Sequence, residues 1–156
     1  MNKPPAFVPR AVEDLNSERI KEALAIWHGK CSVPGQLPHA EEFDILDYRP
    51  AMGNINLLDV HHDPLDFIFR VHSAKGAEYI RRDMTARSVD DYPEPEYGEF
   101  IRSVLTEAVT TRRPQVMIEE MFRTENRLMR WEAVAMPLQD GAGQISRLIV
   151  AFEILH

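Results

Sequence analysis

The stretch Phe69–Tyr92, "FRVHSAKGAEYIRRDMTARSVDDY", changes its hydrophobic period halfway along. Apolar residues alternate up to Val71, which is the period of a strand with one face towards a core. Ala77, Ile80 and Met84 then recur at helical spacing. A strand that runs into helix without a loop predicts that the helix crosses one face of a sheet. We expect a cavity beneath that junction.

Composition restricts the classes of protein to which the chain can belong. With 156 residues, 44% of them hydrophobic, it fits one soluble domain. A formal net charge of −7 argues against binding to nucleic acid or to anionic lipid. The single cysteine excludes an internal disulfide, and no apolar run is long enough to span a bilayer. The default expectation is a cytoplasmic protein that binds neither nucleic acid nor membranes.

Periodicity along the chain predicts the order of the elements. Residues 1–15, rich in proline, are expected to form a loose arm, and residues 16–156 a single domain that begins with an amphipathic helix over 16–29. The predicted strands cover 54–60, 66–72, 115–123, 127–138 and 144–155, with a long helix over about 96–109 between the second and third. Strands and helices that are segregated in this way favour an α+β fold with an antiparallel sheet.

A set of short motifs in this order resembles the PAS domains, and most of all the single-domain bacterial PAS_5 group. The similarity extends from about residue 16 to residue 155. It lies in Trp27, Leu37-Pro38, Leu57-Leu58-Asp59-Val60, Phe67-Ile68-Phe69-Arg70-Val71, Met84-Thr85-Ala86-Arg87, Met136-Pro137-Leu138 and Asp140-Gly141. Two positions depart from the pattern, because His72 and Ala86 stand where the group has glycines. Alanine disfavours a positive φ, so the turn at Ala86 is in doubt.

The resemblance implies a PAS-like five-stranded antiparallel sheet in the order 2-1-5-4-3. Helices would cover one face, and the N-terminal helix would pack on the other face or on a partner subunit. It also implies a stand-alone sensory or protein-interaction module that acts through a separate partner protein. Such domains are not usually enzymes, so no catalytic residue is predicted.

The cavity under the junction is the expected place for a ligand. Such pockets are mostly hydrophobic, so the ligand would be small and largely apolar. An alternative is that side chains fill the cavity and nothing binds. The candidate pocket residues are Phe67, Phe69, Val71, His72, Ser73, Tyr79, Ile80, Met84, Thr85, Phe100, Val104, Val150 and Phe152. Leu57 and Ile101 are expected in the same core. Strand alternation turns His72 away from Phe69, so its role in the pocket stays open.

The last two predicted strands carry apolar residues on both faces, so the outer face needs a cover. The N-terminal helix, a second copy, or both could supply it. Four candidates for this outer face and for a homodimer interface are Ile20, Leu24, Trp27 and Trp131.

Cofactor and metal chemistry is not supported. Residues 73–113, the helical region from which haem-binding PAS domains generally take their axial ligand, contain no histidine. Cys31 lies far upstream of the position used in photoactive flavin domains. The adjacent His61 and His62 would point to opposite faces of a strand, and His28 with Cys31 lacks a second ligand pair. Neither haem, flavin nor metal is predicted.

Four acidic residues on predicted strands are the remaining source of chemistry: Glu119, Glu120, Glu132 and Glu153. Cross-strand pairing with arginines at 123, 127, 130 and 147 is the simpler account. If a carboxylate instead pointed into the cavity, the rival hypothesis would be a small α+β enzyme of the isomerase or hydratase type.

Overall fold

The computed structural model describes residues 7–123 and 127–156, with side chains for all of these except 121–123 and 127–128. The helices are α1 (Glu18–Lys30), α2 (Ala74–Ile80) and α3 (Pro95–Thr111). The strands are β1 (Ile55–His61), β2 (Asp66–Val71), β3 (Gln115–Arg123), β4 (Arg127–Gln139) and β5 (Ile145–Leu155). Short 3-10 helices occupy Val12–Asp14, Ala40–Glu42, Ile45–Ala51 and Val89–Asp91.

The five strands form one antiparallel sheet in the order β2-β1-β5-β4-β3. This confirms the expected α+β fold and its strand order. α2 and α3 follow β2 and precede β3, so the chain leaves the sheet at one edge and returns at the other. We call α2, α3 and the segments that connect them the excursion. Its helices cross one face of the sheet from the β2 edge to the β3 edge. In the described part of the chain, none of the helices combines the length and the apolar character needed to cross a membrane.

Cross-strand pairs define two faces of the sheet. The inner face, towards α2 and α3, carries Phe69, Leu58 and Leu148 as neighbours on β2, β1 and β5. The outer face carries residues of the opposite parity, such as Glu132 on β4. Leu57, expected in the core with the excursion, pairs with Ile149 and therefore lies on the outer face.

The outer face is covered by α1 of the same chain. Ser17 caps this helix by accepting the Ile20 N–H, and the Trp27 indole N–H donates to the Pro137 carbonyl at 3.0 Å. Ile20, Leu24 and Trp27 are all buried by this packing. They therefore cover the outer face as expected, and these three side chains are not accessible to a second copy.

Residues 7–15 are not the loose arm that was expected. Leu15 is buried, and the Phe7 ring lies 6.4 Å from that of Phe100 on α3. The Arg10 backbone also pairs with Val116 of the edge strand β3. Apolar side chains and an available sheet edge hold this segment against the domain, whereas residues 1–6 of the predicted arm lie outside the described residues.

The junction between β2 and α2 has no loop because Ser73 caps the helix two residues after the strand ends. Its hydroxyl accepts the Gly76 N–H, while its own N–H donates to the Asn56 side chain. A bulge between Leu57 and Leu58 shifts the register of β2 just before this point. Val71 consequently pairs with Leu57 on the outer side and is 42% exposed.

The turn at Ala86 keeps the left-handed conformation in spite of the alanine, with φ at 66°. The doubt raised by the missing glycine was wrong. The Ala86 N–H donates to the Phe69 carbonyl at 2.7 Å, and the Phe69 N–H donates to the Arg87 carbonyl. These two bonds hold the turn against β2 and outweigh the steric cost of a positive φ.

Candidate functional site

Four aromatic rings from the excursion and the sheet form a continuous cluster over the inner face. Trp131 on β4 stacks on Tyr97 of α3, with ring centroids 5.3 Å apart and an interplanar angle of 12°. Tyr79 of α2 lies 5.9 Å from Trp131, and Tyr92 meets Tyr97 edge-on at 5.4 Å. We call these residues the aromatic cluster. Its position corrects the expectation that Trp131 belongs to the outer face.

Glu119 lies beside the aromatic cluster on the inner face. It pairs with Trp131 across β3 and β4, and its side chain is 8% exposed. Burial raises the pKa of Glu119 to about 6, because charge is disfavoured away from water. Burial also raises the pKa of Tyr97 well above its usual value, and the nearby acidic groups raise it further. The site thus combines a carboxylate that titrates near neutrality with a phenol that stays protonated.

Several polar atoms of this site have no hydrogen-bond partner within the residues described. They are the Tyr97 hydroxyl, both carboxylate oxygens of Glu119 and the Trp131 indole nitrogen. A buried polar group without a partner costs about 1–3 kcal/mol. Three such side chains side by side are unusual in a natural core, where the large majority of buried polar atoms are satisfied.

A groove of about 640 Å³ opens next to the aromatic cluster, between α2 and the C-terminal end of β5. Its apolar floor consists of Met129, Phe152 and Ile154, and Tyr79 forms part of its wall. Charged and polar residues form the rest of the lining: Arg19, Asn54, Lys75, Glu78, Arg81, Glu153 and His156. The groove is therefore an amphipathic site with a charged rim.

One amide connects the groove to the helices on both faces. The Asn54 side-chain oxygen accepts from Arg19 of α1 at 2.9 Å and from Lys75 of α2 at 3.2 Å. Its nitrogen donates to the Phe152 carbonyl, and Arg19 also pairs with Glu153. A change at the groove rim would therefore reach α1 and α2 together.

The sheet residues expected in the pocket lie mostly on the inner face of the sheet. Phe67, Phe69 and Phe152 are buried on the inner face, and Val150 is half-buried there. Phe152 also contributes to the groove. Val71 is the exception, because the bulge turns it outwards.

Most candidate pocket residues on the helical segments pack into the core, and one of them is exposed instead. Met84, Phe100 and Val104 are buried, whereas Ile80 is half-buried against the core. Ile101, also expected in this core, packs against it from a half-buried position. Thr85 does not contribute, since it is exposed and bonds to Asp83.

The two polar candidates at the junction have structural partners. Ser73 caps α2, and the His72 ring accepts the Met84 N–H at 3.0 Å. Its ring centroid lies 4.9 Å from that of Phe69, so the bulge brings His72 to the side from which alternation had excluded it. Burial lowers the pKa of His72, and Asp83 opposes that shift. His72 holds the junction together rather than pointing an unpaired nitrogen at the groove.

The other candidates for chemistry are dispersed. His62 contacts the Ile145 carbonyl at 2.7 Å, and the Cys31 thiol donates to the Trp27 carbonyl. Among residues 7–123 and 127–156, no three histidine, cysteine or acidic side chains are grouped so that they could hold a metal ion.

Only some of the predicted carboxylate–arginine pairs form. Arg130 bonds to both Glu120 and Glu132, whereas Glu153 pairs with Arg19 instead of Arg147. Arg147 pairs with Asp59. Glu119 pairs with neither Arg130 nor Arg147, and the side chains at 123 and 127 lie outside the described residues.

Sequence reasoning weighed Glu119 as a source of acid–base chemistry but placed neither Glu119 nor Tyr97 in the predicted site. The signal was present, because period-2 alternation puts Glu119 on the same face as Met117. Cross-strand charge pairing was the competing explanation, and it holds for Glu120 but not for its neighbour. The stacking of Tyr97 on Trp131 depends on how α3 lies over β4, which periodicity does not specify.

Comparisons with known proteins agree with this architecture at the level of fold. No protein-family model matches the chain, and no curated protein does. A sensory box sensor histidine kinase from Vibrio cholerae superposes with a TM-score of 0.50 at 12% identity, over 65% of this chain and 81% of that one. A light-oxygen-voltage domain studied with a flavin analogue gives 0.49 at 14% identity, over 75% and 88%. A PAS domain from Colwellia psychrerythraea gives 0.43 at 16%, over 72% and 98%. The likeness to the sensory box structure is one of fold, and the strand order β2-β1-β5-β4-β3 is the one that the resemblance to PAS domains implied.

Proposed function

We propose that this chain is a sensory module of the PAS type that binds a small ligand against its inner face. The observation that carries the proposal is the groove of about 640 Å³ beside three side chains whose buried polar atoms lack partners among the described residues. A volume of this size is within the range of small-molecule sites. An apolar floor beside a few unpaired polar groups is the composition expected of such a site.

The signal would leave the groove through Asn54. A ligand that competes for Arg19 or Lys75 changes the bonds that these residues make to Asn54, and so alters the packing of α1 and α2. A ligand with different affinities for two such packings shifts their populations. A protein partner or a second copy would then recognise the changed surface. Ile20, Leu24 and Trp27 do not form that surface, because they are buried.

Native mass spectrometry of the purified protein tests the proposal. We expect an adduct of small-molecule mass, together with the oligomeric state in the same spectrum. An Ile154→Trp substitution should fill the groove and remove the adduct. Ile26→Trp, at another half-buried site but on α1, is the matched control and should retain it. A spectrum of unliganded monomer for the unmodified protein would contradict both ligand binding and self-association.

A small cavity enzyme of the isomerase or hydratase type is the second candidate, because Glu119 and Tyr97 supply a possible base and acid on the inner face. A carboxylate with a pKa of about 6 is suited to proton transfer near neutral pH. Chromatography of the compound extracted from the protein separates the two functions. One species from both the wild type and Glu119→Gln supports binding. A pair of interconverting species that becomes one in the variant supports catalysis.

We favour binding without catalysis, and the proposal requires neither haem nor flavin. His72, the remaining candidate base at the junction, already accepts a backbone N–H through its Nδ1 atom. Its other partners, Phe69 and Gly76, supply packing rather than proton transfer. The side chains of the junction therefore serve to position α2 over the groove.

A further inference from the structure

The unpaired groups beside the aromatic cluster have a definite hydrogen-bonding character. Glu119 offers two acceptor oxygens, while Tyr97 and Trp131 each offer a donor. Within the described residues, no arginine, lysine or histidine bonds to the Glu119 carboxylate. An ionised carboxylate in such surroundings lacks both a counter-charge and a hydrogen-bond donor.

We propose that the ligand of the inner face carries a protonated nitrogen that donates to Glu119, with an apolar body that packs on the neighbouring rings. This inference rests on the proposed function and specifies the chemical class of its ligand as a small organic amine. An ammonium group supplies the missing charge and up to three donors at once.

The aromatic cluster favours the same class of ligand. Tyr79 and Tyr97 both contact the ring of Trp131, which is the cross-strand neighbour of Glu119, and aromatic faces attract ammonium groups. An anionic ligand would meet repulsion from Glu119, and a neutral alcohol would leave the carboxylate charge uncompensated. Tyr79 lines the groove and also contacts Trp131, so it connects the open volume with the unpaired groups.

Three probes of nearly equal size separate charge from shape: 2-phenylethylamine, 2-phenylethanol and phenylacetate. NMR titration of the full chain at about pH 7.5 gives a dissociation constant for each. We expect the amine to bind about tenfold to a hundredfold more tightly than the alcohol, since hydrogen bonds to charged groups are the strong ones. Phenylacetate should bind most weakly.

Two variants attribute the preference to one carboxylate. Glu119→Gln should bring the affinity for the amine down to that for the alcohol while the affinity for the alcohol changes little. Glu120→Gln is the matched control, because Glu120 is exposed, pairs with Arg130 and points to the outer face. It should preserve the preference. Thermal unfolding of both variants verifies that each is folded.

The outcomes separate this inference from the proposed function. Three results would contradict the proposal that the ligand is an amine: equal affinities for the three probes, tightest binding by phenylacetate, or a preference for the amine that persists in Glu119→Gln. If Ile154→Trp still abolished binding in that case, the groove would stand as a ligand site for another class of compound. Absence of binding by all three probes at about 10 mM, with no adduct in native mass spectrometry, would overturn both and leave water as the partner of Glu119.

Discussion

The inner and outer faces of the sheet each contain a buried carboxylate, and the two carboxylates differ in their hydrogen-bond and ion-pair partners. Glu132 on the outer face is 0% exposed and accepts the N–H groups of Asn16 and Ser17 at 2.8–2.9 Å, besides pairing with Arg130. Glu119 on the inner face is almost as buried and has no partner among the described residues. The two residues lie on adjacent strands of one sheet.

The pKa values of the two carboxyl groups express this difference. Burial by itself would raise the pKa of Glu132, but the Arg130 side chain and the N–H groups of Asn16 and Ser17 outweigh it and hold the pKa below its usual value. Burial raises the pKa of Glu119 with nothing to oppose it. The carboxylate that fastens α1 to the sheet is satisfied by its own chain, whereas the one that we propose as a ligand contact has no partner among the described residues. The comparison can be tested on both sides.

The largest effect should come from Glu132→Gln. The variant loses the charge that compensates Arg130 and one acceptor for the N-terminus of α1, so the free energy of unfolding should fall by about 3 kcal/mol. Urea denaturation at about pH 7.5 measures the change. If the variant were as stable as the wild type, Glu132 would not be the fastening point of α1, and the contrast between the faces would disappear.

Glu119→Gln should act in the opposite direction. The pKa of Glu119 is raised from 4.5 to about 6, so the folded state binds the proton more tightly than the unfolded chain between these values. Ionisation of Glu119 therefore destabilises the fold above about pH 6, by up to about 2 kcal/mol at 1.36 kcal/mol per pKa unit, and not below pH 4.5. The variant should be more stable than the wild type at about pH 7.5.

The same urea titration repeated at about pH 4.5 is the internal control for Glu119→Gln, because the carboxyl group is then neutral in much of both states. The stabilisation should shrink there. A variant that is less stable than the wild type at both pH values would show that Glu119 has a partner in solution that stabilises it.

A smaller gain is expected from Ala86→Gly at the turn that is held against β2. Ala86 has a φ of 66°, which costs a residue with a Cβ atom about 1–2 kcal/mol. Glycine removes this cost but adds freedom to the unfolded chain, so the net stabilisation should be about 0.5–1 kcal/mol by urea denaturation. Ala25→Gly, at an exposed position inside α1, is the matched control and should lose about 1 kcal/mol. If both substitutions changed the free energy of unfolding in the same direction, the strain proposed at Ala86 would be contradicted.

The smallest effect should be a dependence on pH at the junction. Burial lowers the pKa of His72 below 6.5, with Asp83 opposing, and the protonated ring can no longer accept the Met84 N–H through Nδ1. The contribution of neutral His72 to stability is therefore complete above pH 6.5 and is lost as the pH falls through the folded-state pKa. Measured in a Glu119→Gln background, which removes the opposing titration, His72→Gln should abolish this loss. If the free energy of unfolding of this variant still fell with decreasing pH, the titrating group would be a residue other than His72.

Much of the fold could be predicted from the sequence because strands and helices differ in the period at which their hydrophobic residues recur. The predicted strand over 144–155 is β5 at Ile145–Leu155, and the predicted helix over 16–29 is α1 at Glu18–Lys30, capped at Ser17. Alternation at period 2 and recurrence at 3.6 are local properties of the chain. They need no knowledge of which strands become neighbours.

The candidate site could be predicted only in part, since faces depend on register. One bulge in β1–β2 reverses the sides of Val71 and His72 relative to simple alternation. Trp131 lies on β4, which has apolar residues on both faces. The local sequence therefore did not show whether its side chain points to the sheet face covered by α1 or to the one covered by α3. The stacking on Tyr97 decides it.

The sequence by itself determined the elements, their order and, through the resemblance of its motifs to PAS domains, the strand order of the sheet. Only the tertiary structure decided that Glu132 has hydrogen-bond partners and that Glu119 has none among the described residues. Burial and hydrogen bonding of a carboxylate are set by groups distant along the chain, such as Ser17 for Glu132. Two glutamates on neighbouring strands are chemically the same residue, and the groups packed over each of them give one a structural role and leave the other, beside the groove, without a partner in the described part of the chain.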